Sequence, residues 1–209
     1  YLSAARKISR LAVGDTTLAP AIRIFAVNKY LKQDGRVSDD LPFGSRGGLG
    51  VRHTFPVDGE YVAKIYLSRT YDGRVRGLAN PHQLEVRLDG ALVEVLTLGG
   101  PQLDDEGTPR RLDYRNAPDD GQEVRFTVGA GPHLLAVSFV DQASVLEGMR
   151  RPHYAVTSYE YAGDQTVDPG VGRVELRGPY NVTGRGDTPS RRTIFSCRPP
   201  VDAVAPGSD

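Results

Sequence analysis

The sequence has no tryptophan, one methionine, one cysteine and four histidines among 209 residues. The single cysteine, Cys197, excludes an internal disulfide framework, a Cys-x-x-Cys-His haem attachment and a cysteine-rich zinc site. His53, His82, His133 and His153 are isolated. No His-x-His or His-Glu-x-x-His spacing offers a transition-metal ligand set. Lysine occurs only as Lys7, Lys29, Lys32 and Lys64 among 26 basic residues, so the rest are arginine. No arginine–aromatic run accompanies that bias, which reads as genomic composition and not as a nucleic-acid surface. Acidic residues also number 26, leaving no net field to steer the chain to nucleic acid or an anionic membrane. No apolar run of membrane-spanning length and no signal-peptide pattern occurs. Also missing are a Gly-x-Ser-x-Gly elbow, a phosphate-loop signature and a twelve-residue EF-hand. With no base–nucleophile–orienter set in view, the chain reads as a non-enzyme.

What is present is alternation. Residues 1–13 have helical periodicity, with Leu2, Ala5, Ile8, Ser9 and Ala12 roughly on one face and Gly14 as the stop signal. The chain opens within this helix, so residues 1–15 are expected to be the remnant of a preceding domain. From residue 21 the period becomes two. "AIRIFAV" sets Ile22, Ile24 and Ala26 on one side, and "LGVRHTF" sets Leu49, Val51, His53 and Phe55 on one face. "EYVAKIYLS" follows the Asp58-Gly59 turn. "HQLEVRLDGALVEVLTL" is a hairpin about Asp89-Gly90, and "EVRFTVGAGPHLLAVSFV" is a second hairpin. "HYAVTSYEY" and "VGRVELRGPY" bring the expected strands to about nine. Nothing between them reads as a crossover helix. The expected fold is therefore all-β, an antiparallel two-sheet sandwich of jelly-roll type over 20–180 with a short N-terminal helix. Residues 181–209 are expected to form a loop-rich extension and linker.

"GRGDTPSRR" contains Arg185-Gly186-Asp187, a tripeptide displayed by adhesion ligands. A chain this rich in Arg, Gly and Asp contains it by chance about one time in five, so it reads as a turn-rich connector.

Three stretches, "YLSAARKISRLAVGD" (1–15), "LPFGSRGGLGVRHTFPVDGEYVAKIYL" (41–67) and "RVELRGPYNVTGRGDTPSRRTIFSCRPP" (173–200), carry a resemblance over most of the chain. Together they resemble a segment of large extracytoplasmic proteins of planctomycetes and related bacteria, in which domains of unknown function accompany cytochrome c-like domains. The resemblance implies an extracytoplasmic location beside redox or polysaccharide-processing modules, while the lone cysteine leads us to expect no haem in this chain. It leaves Cys197 either with a disulfide partner beyond this chain or as a free thiol. The layout is also similar to carbohydrate-binding β-sandwich modules, some of which hold calcium beside an aspartate on the closing strand. Here Gly172-Arg173 stand at that place, and Asp168 lies several residues earlier.

Candidate sites follow from residue chemistry. Tyr71 in "RTYDGRVRG" and Tyr114 in "LDYRNAPDD" are flanked by polar residues and suit stacking on a pyranose, with Asp72 and Asn116 bonding its hydroxyls. The acidic pairs Asp104-Asp105 and Asp119-Asp120 are the candidate ligands for calcium, a hard cation bound by loop oxygens. In the glycine-rich "LPFGSRGGL", Arg46 is expected to clamp carbonyls or a carboxylate, that of Asp187 or another nearby acid. The motifs at 41–48 and 178–197 are the specific part of the resemblance, and Arg191 belongs to the second of them. The expected function is non-catalytic carbohydrate binding within a secreted multidomain protein. The alternative is a structural domain that docks neighbouring cytochrome c-like or helical domains and takes no small ligand. Partners are thus a polysaccharide or the neighbouring domains, with no nucleic acid and no membrane insertion.

Overall fold

Two four-stranded antiparallel sheets face each other in the computed structural model, which describes residues 1–70, 73, 75, 77–78, 80–100, 122–141 and 168–196. The elements in chain order are α1 (Leu2–Val13), β1 (Ala21–Ala26), β2 (Ser45–Phe55), β3 (Asp58–Leu67), β4 (His82–Leu88), β5 (Ala91–Leu98), β6 (Glu123–Val128), β7 (Gly131–Val140), β8 (Val171–Gly184) and α2 (Pro189–Ile194). The first sheet runs β1-β8-β3-β6 and the second β2-β7-β4-β5. That order of eight strands is a jelly roll, and the chain is an all-β sandwich.

Alternation explains the core. Tyr61, Ala63, Ile65 and Leu67 of β3 point inward with Val124 and Phe126 of β6 and Val174 and Leu176 of β8. They meet Val51 and Phe55 of β2, Leu84 and Val86 of β4, and Leu135, Val137 and Phe139 of β7. The Phe55 ring joins the two sheets, edge-on to Tyr61 at 4.7 Å and to Phe126 at 6.2 Å.

Eight strands occur among the described residues, where the sequence pattern suggested about nine; "HYAVTSYEY" (153–161) lies outside them. The sandwich also continues past residue 180. Asn181 takes a positive φ of 43°, the register of β8 against β3 shifts, and pairing resumes to Asp58↔Gly184. The segment expected to be loop-rich then forms α2, capped by the Thr188 side chain, which accepts from the Arg191 N–H. α1 ends at Gly14, whose left-handed conformation lets its N–H reach the Arg10 carbonyl. No residue of α1 is buried.

Connection lengths divide the sandwich into two unlike ends. Phe55 pairs with Gly131, and the Asp89 N–H bonds the Leu134 carbonyl, so the tight turns at 56–57, 89–90 and 129–130 share one end. β8 finishes there, and α1 and α2 lie beside it. At the opposite end Ser45 pairs with Val140, Leu67 with Val171 and His82 with Leu98. The connections spanning 27–44, 68–81, 99–122 and 141–170 all leave from and return to that end. Backbone bonds tie their roots together: Ser68 N–H to Gly170 O (2.7 Å), Asp141 N–H to Gly44 O (2.8 Å) and Gly100 N–H to Leu78 O (3.0 Å).

Candidate functional site

The base of the long-connection end is built by a β-bulge. Between Arg46 and Leu49 the β2–β7 register shifts, and Gly47 and Gly48 take φ of 57° and 104°. A Cβ at Gly48 would run into the Val137 carbonyl oxygen, so only glycine lets β2 approach β7 this closely. Of the N–H groups that the bulge releases, that of Gly47 is met by the Gly35 carbonyl (2.9 Å) and that of Gly48 by a side chain. Gln33 Oε1 accepts from Gly48 N–H (3.0 Å) and Val171 N–H (2.9 Å), while its Nε2 donates to the Val171 carbonyl (2.9 Å). One amide thereby staples the second sheet to the first.

Arg46 lies beneath this staple and is 3% exposed. Its Nη1 donates to the Pro169 carbonyl (2.8 Å) and the Gln33 carbonyl (3.2 Å), and its Nε stands 3.5 Å from Asp168 Oδ2. The guanidinium also lies 4.9 Å from the Phe139 ring centre. Of the pairings considered from sequence, the one with Asp187 is not made, because that residue lies beyond β8 at the tight-turn end. There Asp187 pairs with Arg192 (3.3 Å). Arg191 donates to the Val13 carbonyl and so joins α2 to α1. Gly186 packs on Ala130 and Asp58, which makes Arg185-Gly186-Asp187 a connector held against the turn end.

His82 completes the described base. Its ring is edge-on to Phe139 at 6.3 Å, with Nε2 2.7 Å from the Gly77 carbonyl. Burial holds this imidazole below the ordinary histidine range, outweighing the upward pull of the Gly77 carbonyl and, after it, of Asp168. His53 is lowered in the same way, by burial first and by Arg23 second, and its ring sits edge-on to Phe55 at 4.7 Å. Both are neutral when folded at pH 7, whereas the unfolded chain takes up protons near pH 6.5. Stability is therefore full above that value and is lost as pH falls through it. The thermal midpoint is expected to drop by a few degrees between pH 7.5 and 5.5, and the double variant His53→Phe, His82→Gln should flatten that slope.

Asp168 is half-exposed, which leaves a carboxylate at the rim of the base with oxygens open to solvent. Base and rim thus offer solvent one fixed acceptor, the Asp168 carboxylate, above a buried cation and a buried ring, Arg46 and Phe139. No group of three or more His, Cys, Asp or Glu side chains that could hold a metal occurs among them. Tyr71, Asp72, Tyr114, Asn116, Asp104, Asp105, Asp119 and Asp120 lie outside the described residues, as does Cys197. Each of the eight site residues nevertheless belongs by sequence to a connection rooted at this end: 71 and 72 to 68–81, the others to 99–122. Sequence reasoning missed Gln33 and His82. A lone glutamine before Asp34-Gly35 carries no signal of a partner 138 residues away.

No family model matches the chain, and no curated protein matches it. Among solved structures it is similar to a family 35 carbohydrate binding module from Clostridium thermocellum, with a TM-score of 0.34 and 10% identity, covering 76% of this chain and 98% of that one.

Proposed function

We propose that this chain is a non-catalytic carbohydrate-binding module of a secreted multidomain bacterial protein, and that it holds glycan at the long-connection end. The observation that carries this reading is the segregation of connections. Three two-residue turns close one end, while four long segments are rooted at the other, where Gln33 and Arg46 pin the base. Long segments on a rigid scaffold are where binding surfaces are built. Their composition suits a sugar: Tyr71 and Tyr114 offer ring faces, and Asp72, Asn116 and half-exposed Asp168 bond hydroxyls. A chain of zero net charge suits a neutral polysaccharide. The pairs Asp104-Asp105 and Asp119-Asp120 share one connection and would supply the oxygen ligands of a calcium ion.

Affinity electrophoresis against a panel of plant and algal polysaccharides, with calcium or with chelator, tests the reading. One glycan is expected to retard the chain, and Tyr71→Ala or Tyr114→Ala should weaken the interaction about tenfold or more. Loss in chelator alone would assign calcium to the acidic connection. Migration unaffected by every glycan would refute the module.

A second reading has its own observation. α1 leaves Leu2 (88%) and Ile8 (66%) in solvent, and Ile194 and Phe195 are exposed on and beside α2 at the same end. These residues suit docking of a neighbouring helical or cytochrome c-like domain. The motif at 41–48 is divided: Leu41, Ser45, Arg46, Gly47 and Gly48 are buried as scaffold, while Phe43 stands 91% exposed at the long-connection end.

A further inference from the structure

β1 is an edge strand of the first sheet and is exposed along its whole length except for half-buried Phe25. Its pairing with β8 is regular across all six residues. The Val27 N–H bonds the Gly172 carbonyl (2.9 Å), which sets the parity of the strand. Residues 21, 23 and 25 turn their backbone groups toward β8. Ile22, Ile24 and Ala26 turn theirs to the open side. The side chains of these three residues form the outward column next to Arg177, Glu175 and Arg173 of β8, and Ile22 and Ile24 are 60% and 61% exposed.

Open edges are normally blunted by charge, proline or a bulge. The other edges of this sandwich follow that rule. β6 turns Glu123 and Arg125 outward, β2 carries the bulge at Gly47-Gly48, and β5 meets β4 with a register shift. β5 also exposes Leu92 and Val95, but its bulge breaks that edge; among the described strands β1 is the edge that is both apolar at its outward column and regularly paired along its whole length.

We propose that β1 pairs antiparallel with β1 of a second copy of this chain, with Ile24 on the two-fold axis. Parity allows hydrogen-bonded pairs only between even-numbered residues. Setting Ile22 opposite Ile24 of the other copy brings the two Arg23 side chains face to face, with Cα atoms about 4.5 Å apart. Setting Ile22 opposite itself places Ile24 against Pro20, which has no N–H to give. With Ile24 opposite Ile24, Ile22 faces Ala26, all three open residues are engaged, and Arg23 lies across from Phe25, a cation–aromatic pair. The result is a continuous eight-stranded sheet with an apolar stripe two strands wide. Because the pairing is antiparallel, the two long-connection ends point in opposite directions. If those ends bind glycan, as proposed above, the dimer bridges two chains of it; the dimer itself does not depend on that reading.

The test is sedimentation velocity of the full chain over a wide range of concentration, with amide hydrogen exchange read by NMR. A concentration-dependent dimer is expected, and Ile24→Lys or Ile22→Lys should weaken it at least about tenfold without lowering the monomer's thermal midpoint. In the dimer the amides of Ile22, Ile24 and Ala26 are protected. In Ile24→Lys the amides of Ile22 and Ala26 exchange fast, while those of Arg23 and Phe25 stay protected in both. A chain that stays monomeric throughout overturns the proposal. So does a dimer that survives Ile24→Lys with the amides of Ile22 and Ala26 unprotected. Tyr71→Ala and Tyr114→Ala leave the dimer intact, which keeps its fate separate from that of the glycan site.

Discussion

Arg46→Ala is expected to cost the fold about 3 kcal/mol, lowering the thermal midpoint by about 6–12 °C. The guanidinium is 3% exposed, so its removal strips donors from the Pro169 and Gln33 carbonyls in a place water does not reach. It also leaves Asp168 without its ion pair, but that carboxylate is 52% exposed and rehydrates, which holds the cost near the lower end for broken buried pairs. Arg46→Lys should recover little, because an ammonium cannot span two carbonyls and a carboxylate from one plane. Asp168→Asn should change stability by no more than about 1 kcal/mol. Calorimetry of the three variants separates these costs. If Arg46→Ala melts within about 2 °C of the parent, the clamp is not what holds the long-connection end together.

Phe55→Ala is expected to cost about 3–5 kcal/mol, a large share of the stability of a domain this size. Its ring is fully buried and touches four others: Tyr61 and Phe126 of the first sheet, and His53 and His133 of the second. No neighbour can collapse into the gap without breaking one of those edge-on contacts. Phe55→Leu keeps most of the volume and should cost about 1–1.5 kcal/mol. The alanine variant has a second signature. Water entering the gap reaches His53, relieves the burial that lowers its pKa, and shrinks the loss of stability between pH 7.5 and 5.5. Urea unfolding at two pH values reads both effects. Equal losses for alanine and leucine would show that the site relaxes and that the ring contacts do not matter.

Strands and turns were legible because both are local. Alternation in "EYVAKIYLS" follows from the two-residue period of a strand with one wet face, and Asp89-Gly90 is what a two-residue hairpin requires. The chain ran beyond this reading where one residue changed the course of a strand. Nothing local shows that Asn181 carries β8 past Pro179 to pair again with Asp58. Periodicity also reveals that a strand has two faces without saying which is inside. In "AIRIFAV" the isoleucines look like core, yet Phe25 packs against it and Ile22 and Ile24 face solvent.

The candidate site divides along the same line. Tyrosines and acids suited to a sugar are visible as residue types flanked by polar neighbours. That they belong to connections rooted at one end appears only once the strand order is known, because the order decides which turns share an end. Gln33 and Asp168 gain their roles from partners far away in the chain, Val171 and Arg46. Composition and local pattern thus determined an all-β sandwich without an internal disulfide framework. Tertiary structure alone decided which end carries the long connections, which arginine is buried and which described edge is left unpaired, because each depends on contacts between segments that no short stretch of sequence contains.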